Sequence, residues 1–445
     1  MIIRDIIRDT KITYFIYLPY ECAAVEEYLE QMAEKGWLLK SVNGPLFRFK
    51  RISPKKIKYS VDVLSKVSIF DHKDTEEALE YREYCKAAGW TYVCQTGKIQ
   101  IFYTEEDKEI IPIHTDEEER FKSVFKSSLY NVGNQLFLII VFIFNIYNEL
   151  FLGGTDFLLS SNFMIFTTVA MLFLVLLNII NLISFFFWVI RARLKLKENK
   201  FMPYNSYKQL RIKNILFKAY SLIIIITMLM LGISNNSKNK EYNISIMIIM
   251  LIIIIISSCI KIFINKKRYS KNTNMIISIS STIILIFLSL MLIGTTIFWT
   301  ISEAHQSELP NEKYSLTLMD FGYEENTDED TYSDFDKSFL AEKTEYSYDS
   351  KDKDKSLSYT ILQSQYPRVI EFHENILLNI LNKYNNDLKQ ENTNLPSNIK
   401  VYSYRNKRCF VLVSKEKVVE IRKNFSDISD DDFLNIVYSK LFYRE

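Results

Sequence analysis

Histidine and cysteine are scarce in this chain, four and five among 445 residues. His72, His114, His305 and His373 stand apart, without metal-ligating companions at helical spacing, and no HExxH, Ser-His-Asp or Cys-His arrangement occurs. No two cysteines make a CxxC or another zinc spacing. Cys22, Cys85 and Cys94 read as reduced packing residues, and Cys409, alone in the C-terminal segment, has no disulfide partner there. Met1–Lys11 lacks an apolar core with a cleavage site, so no secretory signal is expected. The run with Asp328, Glu329, Asp330, Asp334 and Asp336 lacks the glycine and closing glutamate of a calcium loop and reads as solvated. Each absence removes a class of chemistry. No metal, no cofactor and no catalytic residues are expected, and the chain reads as a non-enzyme.

Charge is equally scarce in the stretch from Gln135 to Ile301, which holds five apolar runs: Leu136–Leu152, Phe163–Ile190, Ile215–Ile233, Ile244–Ile264 and Met275–Ile301. A hydrocarbon core about 30 Å thick is crossed by about 20 helical residues at roughly 1.5 Å each. The first run is the shortest and carries Asn145 and Glu149. Each central Ile or Leu favours insertion by about 0.5 kcal/mol and a central Lys opposes it by about 3 kcal/mol. Lys261, near the end of the Ile-rich fourth run, therefore does not prevent insertion. No ionisable residue lies at mid-span, which disfavours ion-coupled transport. Asn145, Asn178 and Asn181 are the central polar groups. Asn178 and Asn181 share a helix face, and interhelical hydrogen bonding accounts for them.

The short loops set orientation. Loop 153–162 has no Lys or Arg, and loop 234–243 has only Lys238 and Lys240. Loop 191–214 and loop 265–274 are strongly basic, as are Arg120, Lys122 and Lys126 before the first run. Basic loops stay cytoplasmic. Five spans then place the N-terminus inside and residues 302–445 outside, in a cell membrane, with Trp188 and Trp299 near span ends. Lipid contact explains the basic loops, so the bilayer is the expected partner and nucleic acid is not.

Before the membrane block, Ile12–Leu18 reads as a strand, Tyr20–Lys35 as a helix closed by Gly36, and Trp37–Val42 and Leu46–Arg51 as a hairpin around Asn43-Gly44. Lys56–Val63, Thr75–Ala88, Trp90–Cys94 and Lys98–Tyr103 repeat that order. Glu27, Tyr28, Glu30, Gly36, Trp37 and Phe49 recur fifty-three residues later as Glu80, Tyr81, Glu83, Gly89, Trp90 and Phe102. A duplicated β-α-β-β unit follows, expected as one antiparallel sheet with both helices on one face. Glu30 and Glu83 sit on polar helix sides and do not read as a catalytic pair. Trp37 and Trp90 are candidate ligand-binding residues at a cleft between the halves, or else caps on the core. Thr115-Asp116-Glu117-Glu118 has capping-box spacing. It opens a helix that either runs on into the first span or lies on the bilayer.

The runs EYLEQMAEKGWLLKSV, FRFKR, YSVDV, YREYCKAAGWTYV, IQIFYTEED and TDEEER resemble an uncharacterised bacterial family, known only as a domain of unknown function placed before transmembrane helices in Gram-positive bacteria. The resemblance covers roughly residues 10–130. It implies an N-terminal cytoplasmic α+β domain often encoded beside PadR-type regulators, and it carries over no active residues. The duplicated unit is also similar in outline to GyrI-like small-molecule-binding domains, an analogy of fold alone.

The C-terminal segment reads as a second α+β lobe. Asn311–Leu318 and Leu357–Gln365 are expected as strands and Pro367–Asn385 as a helix. A meander over Ile399–Tyr404, Arg408–Val413 and Val418–Ile421 precedes a last helix, Asp430–Leu441, begun by Ser429. The organisation expected is therefore a cytoplasmic α+β domain over 1–114, a juxtamembrane helix over 115–135, a five-helix transmembrane block over 136–301, a polar linker over 302–356 and an extracytoplasmic α+β domain over 357–445. This is a multi-pass α-helical membrane protein. The expected function is to bind or sense a ligand, or a membrane or cytoplasmic protein partner, and to couple the two lobes. The rival is a transporter-like or resistance or immunity protein with Asn178 and Asn181 lining a path.

Overall fold

The computed structural model describes residues 9–64, 66–105, 111, 113, 116–151, 154–198, 200, 206–232, 248–249, 252–253, 255–260, 262–264, 267, 269–303, 316–324, 332–350, 354–385 and 387–442. The chain forms two compact units, one of residues 1–142, 172–224 and 248–292, the other of residues 143–171, 225–247 and 293–445.

In the first unit the N-terminal lobe runs β1 (Thr10–Tyr14), α1 (Cys22–Glu34), β2 (Trp37–Asn43), β3 (Leu46–Arg51), then β4 (Ile57–Val63), α2 (Glu76–Ala87), β5 (Thr91–Thr96) and β6 (Ile99–Glu105). The two halves share topology, β1-β3-β2 and β4-β6-β5, each antiparallel. They also share an irregularity. Register skips at Lys40 in β2 and at Val93 in β5, the same place in each repeat. The single sheet expected from the sequence is not formed. β2 and β5 approach each other, but no ladder joins them. The bulges fall on these two facing strands, and a bulge breaks the ladder and adds twist. Nor do the helices share a face. Ile101 belongs to the core under α1, whereas its neighbour Phe102 packs with Cys85 and Trp90 on the α2 side.

The remaining elements of this region are helical. α3 (Glu117–Phe151) is one uninterrupted helix, opened by Asp116, whose Oδ1 accepts from the amides of Glu118 and Glu119 at 2.8 and 3.3 Å. The other half of the expected capping box, Thr115, lies outside the described residues. α4 (Thr155–Ser160) is short; α5 (Asn162–Lys197), α6 (Tyr207–Gly232) and α7 (Lys271–Glu303) are long. Among the described residues, α3 and α5 are long and apolar enough to cross a membrane. α6 and α7 cover the third and fifth apolar runs, and the fourth is helical at its described residues, 248–249, 252–253, 255–260 and 262–264. The lobe's core continues into these helices: Tyr20 meets Phe185 and Trp188 at 5.7 and 5.9 Å, and Phe121 stacks on Trp188 at 5.5 Å. Trp188, read from sequence as an interfacial aromatic, is a buried core residue.

The second unit centres on a seven-stranded antiparallel sheet, β10-β11-β12-β13-β9-β8-β7. Its strands are β7 (Tyr332–Lys337), β8 (Glu342–Asp349), β9 (Ser356–Gln363), β10 (Lys389–Glu391), β11 (Lys400–Tyr404), β12 (Cys409–Val413) and β13 (Lys417–Lys423). α9 (Asp430–Leu441) covers one face with Phe433, Leu434, Val437 and Leu441. α8 (Pro367–Tyr384) packs Ile370 and Leu381 on the other, against Val411, Val413 and Val418. Residues 302–356, read as a polar linker, contain β7 and β8. Only alternate residues of β8, such as Tyr346 and Tyr348, enter the core, so pairing with β9 rather than apolar content makes the strand. Of the strand expected at Asn311–Leu318, residues 311–315 lie outside the described residues and Leu318 opens a 3-10 turn. Loop 153–162 holds a helix at Thr155–Ser160. Its helix α4 docks on this lobe, with Leu159 against Leu362 and Ala341.

Candidate functional site

Two hairpin turns define a cleft in the N-terminal lobe. Gly44 and Gly97, at φ +55° and +56°, occupy equivalent positions of the β2–β3 and β5–β6 turns, where a two-residue hairpin requires a left-handed backbone. Beside them lies a cavity of about 620 Å³. One wall is Phe15, Ile16 and Tyr17, from the segment after β1, and the other is Ile69 and Asp71, from the segment after β4. The Tyr17 hydroxyl is buried without a hydrogen-bond partner. Burial holds its pKa well above the usual tyrosine value, so it remains a donor. Asn43, Asp71, Lys73, Gln95 and Thr96 add polar groups to the apolar and aromatic side chains of the lining.

Each wall is fastened to an apolar helix through its main chain. Asn214 of α6 takes both groups of Ile16: the amide donates to Oδ1 at 2.6 Å, and Nδ2 donates to the carbonyl at 2.9 Å. Asn274 of α7 donates from Nδ2 to the Phe70 carbonyl at 2.9 Å. Both asparagines are buried, at 3% and 1% exposure. Ile16 follows β1 and Phe70 follows β4, so the loop after the first strand of each repeat docks on a helix.

Glutamates at the start of α1 and within it complete the attachment. Glu21 pairs with Lys213 of α6 at 2.7 Å, both nearly buried, and also accepts the Leu18 amide at 2.8 Å. Glu27 accepts the Tyr207 amide, at the start of α6, at 2.8 Å. Glu26 and Glu30 point the other way. They accept the amides of Val61 and Tyr59, at 2.8 and 3.2 Å, along the open edge of β4. Helix positions i and i+4 lie about 6 Å apart, and strand positions i and i+2 about 6.6 Å, so one helix face matches one strand edge. Glu26 also faces Arg120 of α3 at 3.8 Å. Burial pushes its pKa up to about 7 against the pull of Arg120.

The halves differ inside. Where the first has Val42, Leu29 and Phe47, the second has Gln95, Arg82 and Gln100. Arg82 holds Asp74 at 2.9 Å and Gln95 at 2.7 Å, while the Tyr81 hydroxyl bonds Asp62. That last bond repeats the one between Tyr28 and Thr13, at 2.9 Å. Gln100 is wholly buried, and both its amide atoms lack partners.

Trp37 and Trp90 are not brought together. Trp37 lies half-buried beneath Lys11 and Arg51, 5.4 and 5.8 Å from its ring centroid. Trp90 is buried, donating its indole N–H to the Ile111 carbonyl at 3.0 Å. Asn178 donates to the Leu174 carbonyl of its own helix at 2.8 Å, and the carbonyl of Asn181 accepts the Tyr20 hydroxyl at 3.3 Å. Asn145 is exposed along α3. Asn214 and Asn274, which sequence reasoning passes over, stand where a basic loop gives way to an apolar run. The signal they leave is a single uncharged polar residue at that boundary.

Among the described residues no group of three or more His, Cys, Asp or Glu side chains is arranged to hold a metal. No curated protein and no solved structure matches the chain. Residues 22–133, from α1 through the second repeat into α3, match the family model described as Protein of unknown function (DUF2812).

Proposed function

We propose that this is a non-enzymatic, five-span plasma-membrane protein whose N-terminal lobe senses a small ligand in the hairpin cleft and passes its state to the membrane helices. The lobe lies in the cytoplasm and the C-terminal lobe lies outside. The observation that carries this reading is the fastening of both cleft walls, through Ile16 and Phe70, to buried asparagines of α6 and α7. A ligand that parts the walls must strain or move those bonds, so its affinity differs between two helix arrangements. That difference is what coupling requires. The lining mixes apolar and polar side chains in about equal measure and calls for a small amphipathic molecule. The continuous α3 supplies a stiff path from the lobe, and the basic loops support the orientation.

Topology is the first test. In a cysteine-free variant, single cysteines replace Ser53 and, separately, Lys415, both exposed. A membrane-impermeant maleimide applied to intact cells is expected to label Lys415→Cys and not Ser53→Cys. Protection of both until the cells are opened would place both lobes inside and end the transmembrane-sensing reading.

A further inference from the structure

The two repeats use their sheets differently. Register matches Thr10, Ile12 and Tyr14 of β1 with Tyr59, Val61 and Val63 of β4, and Leu46, Arg48 and Lys50 of β3 with Ile99, Ile101 and Tyr103 of β6. In the second repeat all six of these side chains pack in or against the core that holds α1. α2 takes the other side of that sheet through Phe102, so the sheet is covered on both faces. In the first repeat α1 takes the side of Phe47 and Phe49. On the opposite side, where the second repeat is buried, Ile12, Leu46, Arg48 and Lys50 are exposed. Sheets and helices therefore alternate, with a bare sheet face at one end and the outer side of α2 at the other.

The two ends are complementary. The outer stripe of α2 carries Glu76, Leu79, Glu80 and Glu83, all exposed, at positions i, i+3, i+4 and i+7. The bare sheet sets Arg48 and Lys50 beside Ile12 and Leu46. Apolar side chains can meet on burial while opposite charges select the register. The chain also holds a pattern for the backbone. Glu30 of α1 takes the Tyr59 amide on the open edge of β4. Glu83 is the repeat of Glu30, and Thr10 is the register match of Tyr59 on β1, whose outer edge pairs with no strand.

We propose that the N-terminal lobe self-associates head to tail, the outer stripe of α2 in one copy lying on the bare face of β1 and β3 in the next. Its glutamates face Arg48 and Lys50, Leu79 lies on Ile12 and Leu46, and Glu83 takes the place that Glu30 holds within the chain. The contact α1 makes with the second sheet is then repeated between chains. Such a contact is heterologous, so it continues into a ring or an open row rather than ending at a dimer. It is independent of the membrane reading.

Charge reversal in the full chain tests it. Arg48→Glu with Lys50→Glu spoils the sheet face, and Glu76→Lys with Glu80→Lys and Glu83→Lys spoils the helix face; all these positions are exposed. By analytical ultracentrifugation in detergent the natural chain is expected to self-associate, and each variant alone to do so about tenfold more weakly or less. Mixed, the two variants bring one intact helix to one intact sheet, and a 1:1 dimer is expected that neither forms alone. A natural chain that stays monomeric, a variant that associates as well as the natural chain, or a mixture that gives no dimer overturns the contact. Association that begins only after residues 1–8 are removed would give the face to that segment instead of a second copy. A crosslink covers the case of a variant that fails to fold. In a cysteine-free chain in membranes, a short bismaleimide should join Ile12→Cys in one copy to Leu79→Cys in another. Joining of Ile12→Cys to itself, and not to Leu79→Cys, would make the contact two-fold symmetric and overturn the head-to-tail arrangement.

Discussion

Glu26 and Glu30 show how much a single atom's placement decides. An open strand edge presents unpaired amides, and each one buried without an acceptor costs about 1–3 kcal/mol. Replacing either residue by alanine is therefore expected to loosen β4. Hydrogen exchange on the intact protein should report lost protection over 57–63 and little change in β9 or β13. Glu26 adds a pH dependence. Its folded pKa of about 7 lies above the unfolded value, so the folded lobe holds a proton that the unfolded chain releases. Its contribution is full below the unfolded value and is lost as the pH rises through 7. Glu26→Gln, which keeps the acceptor for Val61, should flatten that limb of a melting-temperature profile between pH 5 and 8. Gln100 offers a third residue-scale test. With both amide atoms unpaired, Gln100→Met should raise the melting temperature, whereas a fall would mean that water or a ligand sits on the amide. That Glu30 lies on the polar side of its helix is plain in the sequence. The destination of Glu26 and Glu30 is not, because it depends on a strand some thirty residues away.

Among elements, α4 is the instructive case. Six residues do not make a stable helix alone. Docking holds this one: Asp156 pairs with Lys343 at 2.8 Å, Thr155 Oγ1 meets His373 Nδ1 at 2.6 Å, and Ser338 donates to the Leu159 carbonyl at 2.5 Å. Asp156→Ala should cost about 2 kcal/mol, the scale of a charged hydrogen bond, and open residues 153–162 to limited proteolysis. Acid should act in the same direction. Burial pulls His373 down to about 4, so the stability tied to its neutral form is present above about 6.5 and is lost as the pH falls toward 4. Asp336, pushed up to about 6 chiefly by burial, opposes this, since its folded form gains a proton first. His373→Gln should leave the Asp336 limb alone. The long elements and the meander of β11 to β13 are legible in the sequence through periodicity and caps. β7, β8 and α4 are not, because their formation rests on partners rather than on their own apolar content.

For the whole molecule, the duplication is legible through Gly-Trp spacing, and the matching bulges at Lys40 and Val93 extend it to backbone detail. Its consequence for the sheet is not legible, because sequence similarity does not show where a ladder breaks. The candidate cleft is likewise hidden, since its walls come from loops whose positions are set by Asn214 and Asn274. The α4 dock carries a prediction independent of span number. Cysteines at Phe157, an exposed position, and at Lys415 must label from the same side of the membrane, and opposite labelling would refute the dock.

The handclasp of Glu26 and Glu30 with β4 also bears on how the lobe is made. The first repeat is complete in sequence at Arg51, yet its helix finds its partners on β4 only at Tyr59 and Val61. At roughly 5–20 residues per second, synthesis leaves that helix waiting for about one to two seconds. Neither repeat is then a folding unit. A chain severed between Arg51 and Ile57 should leave the N-terminal lobe unfolded in each piece alone and folded when the two are mixed.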